Sequence, residues 1–249
     1  MSRPSGWLPT EVAKRQRTIV FRAGPGTIFR VLMAIIGVLV TLSIAGMAIR
    51  FSLGMSKGLG AIALIDLNSE TNFPTFFSSA LLAFCAVLLS MTGEAHRQLH
   101  MGWHRHWFFL ALTFLALSMD EFIQLHEKTM DFISGHLDIV PGSILTNSWV
   151  ILAFVFLPLL GLAYLRFLLS ISRRSAVLMV AAGIVYVGGA VGVEMVSGMM
   201  KGTYGFGSLP FMISTTIEET LELTGLAIFV YALTDHAARL GLSWSFDPV

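Results

Sequence analysis

The residues with the most chemical potential in this chain are carboxylates set in apolar surroundings. In the segment ISTTIEETLELTG, Ser214, Thr215, Glu218 and Glu222 fall within about 100° of one another on a helix, with Glu219 on the flank. Glu222 would lie about 15 Å inside an apolar span beginning at Ile213, where an ionised carboxylate costs several kcal/mol unless it is paired, protonated or wet. A second set, Asp120, Gln124, Glu127 and Asp131, follows i, i+4, i+7 and i+11, a stripe of about 60° if one helix carries all four. Glu121 and Lys128 flank that stripe together at i, i+7, which allows the ammonium to neutralise one carboxylate. On the same helix His126 points away from Asp120, so a metal held by both is not expected.

Glu194 stands in GGAVGVEMVSG, where Gly188 and Gly192 have the i, i+4 small-residue spacing that admits a neighbouring helix. An interior position for that helix would bury Glu194 and require a partner: the acids of the other two segments through protons, Lys128, Lys201 or a bound cation. Upstream, IDLNSETNFPTFFSS alternates Asp66, Asn68, Glu70 and Asn72, followed by Ser78 and Ser79. This lacks the sixth-position glycine and twelfth-position glutamate of an EF-hand; it reads either as a polar turn or as a cap over a cavity, with Ser78 as a lining hydroxyl.

Histidine gives a weaker signal. His96, His100 and His104 share a face only if one helix runs through Gly102; as a trio they could hold zinc, and as interfacial anchors beside lipid headgroups they need no metal, the reading preferred here. Carboxylate-only oxygen sites suit protons, magnesium, calcium or manganese, so a divalent metal ion is the cofactor these acids would admit. The Glu-x-x-His pairs of di-iron bundles are absent from the spans. DLNSETN with Ser78 or Ser79 is vaguely similar to the early motifs of alkaline ceramidase-like membrane hydrolases. Where that pattern carries a late His-x-x-x-His, this chain has Glu218-x-x-x-Glu222, so no family is assigned.

The elements that must position these groups are read from hydropathy. Among 249 residues, 55% are hydrophobic and 12% charged, about half the charged fraction of an ordinary soluble domain, and mean hydropathy is +0.76. Apolar windows at Ile28–Phe51, Pro74–Thr92, Trp107–His126, Ser148–Ile171, Ala176–Met199 and Ile213–Thr234 are each long enough to cross a bilayer. The expected fold is an all-α membrane protein, a bundle of six transmembrane helices: residues 1–27 a cytoplasmic arm, 28–235 the membrane domain, 236–249 a cytoplasmic tail. Of the 16 Lys and Arg, all but Arg50, Lys57, Lys128 and Lys201 fall on the side of the termini, which the positive-inside rule places in the cytoplasm. Eleven of the 15 acids fall on the other side.

A net charge of +1 gives no attraction to nucleic acid, and the single Cys85 excludes an internal disulfide or cysteine metal cage. The leading expectation is a multi-pass protein of the inner cell membrane with an acidic cavity open to the extracytoplasmic side. Glu218, Glu222, Glu194, Asp120, Glu127 and Glu219 would bind a cation, protons or a small molecule, with or without coupled transport. Its rivals are a metal-dependent intramembrane hydrolase with Asp66 or Glu70 as base, and an accessory subunit whose acids pair with a membrane-protein partner.

Overall fold

The computed structural model describes residues 23–54, 60–134, 136, 139, 140 and 142–242; most of the N-terminal arm, the last seven residues and the side chains of Glu127 and Asp131 lie outside that description. The described residues are helical without strands. They form α1 (Pro25–Ser52), α2 (Phe73–Gln98), α3 (His104–Ile123), α4 (Leu125–Ser134), α5 (Val150–Ser170), α6 (Arg173–Val187), a π-helical turn (Gly188–Val193), α7 (Glu194–Tyr204) and α8 (Leu209–Arg239). Five stretches are long and apolar enough to span a membrane: α1, α2, α3, α5, and α6 through α7 taken as one 32-residue rod. The sixth window expected from sequence is α8, 31 residues long; it carries Glu218, Glu219, Glu222 and Asp235 and is not among the five.

α8 is the central helix, packed against α6, α1, α7 and α2. Its fully buried face follows i, i+3, i+4 and i+7: Leu223, Leu226, Ala227 and Val230. Lipid is as apolar as leucine, so helix association in a membrane rests on close backbone approach and interhelical hydrogen bonds. Both occur. A Cβ on Gly225 would lie 2.7 Å from the backbone nitrogen of Tyr186, and one on Gly189 2.8 Å from the carbonyl of Glu218, so α6 and its π turn seat directly on α8. The expected contact glycines, Gly188 and Gly192, have nothing within 4 Å of that position. The correction is one of register, because the helix presents Gly189 rather than its neighbours to α8.

α2 and α3 form an antiparallel pair. Ser79 donates to the Ser118 carbonyl and Ser118 to the Ser79 carbonyl, each at 2.9 Å. The pair turns through His100 (φ 51°) and Trp103 (φ 70°), so no continuous helix runs through Gly102. His96, His100 and His104 are therefore not a trio. His96 is buried with its Nε2 3.2 Å from Nε2 of His236, whose Nδ1 lies 2.9 Å from Ser175 Oγ. His100 is exposed.

α3 does not extend through Asp131 either. Gln124 adopts the left-handed conformation (φ 56°), which ends α3 and redirects the chain into α4. The Asp120–Asp131 stripe is thus split between two helices. Lys128 Nζ caps α3 by donating to the Ile123 carbonyl at 2.7 Å, in place of the expected approach to Glu121.

α5 has α6 as its most extensive helix neighbour and stands apart from α3 over most of its length. At one end the gap closes through aromatic rings: Trp107 on Phe167 (4.9 Å between centroids, interplanar 86°), with the Tyr164 hydroxyl donating to the His106 carbonyl at 2.9 Å.

Candidate functional site

Between α3, α5, α6 and α8 lies a cavity of about 1210 Å³. Its polar end is where α3 stops and α8 begins. Among the described residues, seven carboxylates line it, Glu70, Asp120, Glu121, Glu194, Glu218, Glu219 and Glu222, against the cations Arg50 and Lys201 and the imidazole of His126. The opposite end is apolar, with Leu110, Leu157, Leu160, Phe167 and Met179. Phe114 and Phe229 stack at 4.7 Å and join α3 to α8 across that half.

Each acid reaches the cavity by a different local device. On α8, Thr215, Glu218, Glu219 and Glu222 line the wall together, as helical spacing demands. Glu194 is delivered by the π turn, whose extra residue rotates α7 by roughly 100° relative to α6. Glu194 is 8% exposed and its Oε1 accepts from Trp149 Nε1 at 2.7 Å and Asn147 Nδ2 at 3.1 Å. Ser197, one turn on, donates to Glu218 Oε2 at 2.6 Å, joining α7 to α8.

Asp120 and His126 meet, contrary to expectation, because the left-handed Gln124 folds α4 back over the end of α3. Asp120 accepts from the His126 backbone N–H at 2.8 Å and from His126 Nδ1 at 2.9 Å. His126 lies beyond the span that ends at Ile123. Burial opposes charge on its ring, but the hydrogen bond and the charge of Asp120, with Glu194 and Glu121 behind, carry its pKa up to about 9. A histidine raised in the folded state contributes stability in full below its ordinary 6.5 and loses it as pH rises through about 9. Asp120→Asn should bring this pKa down toward or below 6.5, read by NMR of ring-labelled histidine. An unchanged titration would mean Asp120 is not its partner.

The proposed cap divides in two. Asn68 and Glu70 line the cavity. Asp66 and Asn72 instead build the turn: Asp66 accepts from the Asn68 backbone N–H at 3.0 Å and ion-pairs with Arg50 at 3.6 Å, and Asn72 accepts from the Thr75 N–H as the N-cap of α2. Ser78 is buried and faces Glu121. Glu127 lies on α4, and its side chain is outside the described residues. Sequence reasoning missed Asn147 and Trp149. The only local signal was a polar Asn-Ser-Trp step before an apolar run.

Among the described residues, no three His, Cys, Asp or Glu side chains are grouped so as to hold a metal ion. The acids are spread around a wall instead of converging on a point, which suits a ligand with dimensions of its own.

The fold and the cavity define an all-helical, multi-pass membrane protein with acids gathered at one end of an internal space. Residues 31–237 match the family described as Domain of unknown function (DUF8692), and the chain belongs to it. No curated protein and no solved structure matches the chain.

Proposed function

We propose that this is a six-span protein of the inner cell membrane, both termini cytoplasmic, that binds an organic cation in the acidic cavity and exchanges protons as it does so. α8 is the sixth span; Glu218, Glu219 and Glu222 line the cavity, the arrangement that lets ionisable groups reside in a membrane. The observation carrying the reading is the set of seven carboxylates distributed over one cavity with only Arg50, Lys201 and His126 among the described residues to offset them. Their repulsion is relieved by any positive charge that enters. A bare divalent ion requires about six to eight oxygens within roughly 2.6 Å of one point, a convergence these acids do not make. An ammonium with substituents of its own spans the spaces between them. The partner-subunit reading is disfavoured because the acids line an internal space.

In lipid nanodiscs, tetramethylammonium should bind, should displace protons into a weakly buffered solution, and should bind more weakly as pH falls, since protons compete for the same oxygens. Stoichiometric uptake of magnesium or manganese, with no ammonium binding, would overturn the reading. Topology has its own test: on a background lacking Cys85, a cysteine at Thr203 should be labelled from outside, and cysteines at His100 and Arg173 should not. The reverse pattern would invert the whole placement.

A further inference from the structure

We infer that the cation is the head of an amphiphile, a single-chain ammonium lipid drawn sideways from the bilayer through the seam between α3 and α5. This rests on the organic-cation reading and names its substrate class. Pockets for drug-sized ligands enclose about 300–1,000 Å³, and this cavity, at about 1210 Å³, exceeds them. It also runs the length of α5. Trp149 at one end donates to Glu194, Phe167 lines the other end, and the 18 helical steps from one to the other rise about 27 Å, close to the thickness of a bilayer core. An inorganic cation has no use for an apolar half of that length; a hydrocarbon chain attached to a cationic head occupies both halves at once.

The route follows from where the wall is thin. Leu152 and Phe156 line the cavity and are 53% and 50% exposed, and α3 scarcely packs against α5 beside them. The seam is therefore open to the surroundings beside the first half of α5, at a depth where those surroundings are hydrocarbon. The far end is shut by the Trp107–Phe167 contact and the Tyr164–His106 hydrogen bond. A chain crossing the seam exchanges one apolar environment for another, while a hydrated ion taking that path would be stripped of its water.

The test compares dodecyltrimethylammonium with tetramethylammonium in nanodiscs, on the parent and on variants that fill the apolar half. Gly161 on α5 and Gly183 on α6 both line the cavity, and nothing lies within 4 Å of where a Cβ would sit on either, so tryptophan there enters space without touching backbone. Gly161→Trp and, separately, Gly183→Trp should weaken the long-chain probe at least tenfold and leave the short one unchanged, a difference that bilayer partitioning cannot produce because the lipid is the same. Equal effects on the two probes, or none on either, would overturn the inference and leave the organic-cation reading standing. Failure of both probes to bind the parent would overturn both.

Discussion

Glu222→Gln is expected to remove ligand binding without unfolding the protein. Glu222 lies 13 residues after Leu209 on α8, about 20 Å along it, and lines the cavity with Glu218 one turn away. Glutamine keeps its size and its hydrogen-bonding oxygen and removes the negative charge. Removing one partner of a buried, hydrogen-bonded charge pair costs about 2–5 kcal/mol, so affinity for the ammonium probe should fall by roughly 30-fold or more. Proton release on binding should diminish with it. Glu94→Gln serves as the control, since Glu94 is held by Arg97 at 2.7 Å on an exposed surface and should leave binding untouched. Asp66→Asn supplies the opposite contrast: it breaks the buried pair with Arg50 and should cost stability, on the order of 3–5 kcal/mol, ahead of any change in affinity. If Glu222→Gln retained the parent's affinity and proton stoichiometry, the α8 acids would be structural and the organic-cation reading would fall.

A second large stability effect is expected at Gly225. Alanine there would place its methyl 2.7–2.8 Å from the nitrogen, Cα and Cβ of Tyr186, and backbone cannot yield as a side-chain tip can. Overpacking of this kind costs about 1–3 kcal/mol and occasionally more, which exceeds the roughly 0.5–1 kcal/mol that alanine gains over glycine inside a helix. Gly225→Leu should prevent α6 from docking on α8 and abolish the folded protein. Gly188→Ala and Gly192→Ala touch nothing within 4 Å and should be neutral or slightly stabilising. Thermal unfolding in mild detergent ranks the three alanine variants, and the reverse order would mean that α6 and α8 do not pack through Gly225. Because Gly189 on the same interface backs onto Glu218 and Glu222, loosening it should also disturb the cavity wall.

Hydropathy alone was enough to place the long apolar helices. The window Ile28–Phe51 became α1 and Ser148–Ile171 became α5 with ends shifted by three residues or fewer, because a bilayer's thickness sets how long an apolar run must be. The shared face of Glu218, Glu219 and Glu222 was equally legible, since 3.6 residues per turn is a property of the backbone and needs no partner. What remained hidden involved breaks in regular structure and choices between adjacent residues. A left-handed glutamine has no sequence signature, yet the turn at Gln124 brings His126 onto Asp120. A π turn depends on what the helix packs against, yet it aims Glu194 at Asn147 and Trp149, 47 and 45 residues away in the chain. Among Gly188, Gly189 and Gly192 composition offers no distinction, and only the seat on α8 selects Gly189. The sequence by itself determined which segments are long and apolar enough to cross a membrane and which helix faces carry charge, both set by short-range geometry and solvation. Tertiary structure decided that the acids of several segments share one cavity and that its other half is apolar, because helix register and spacing follow from contacts between residues far apart in the chain.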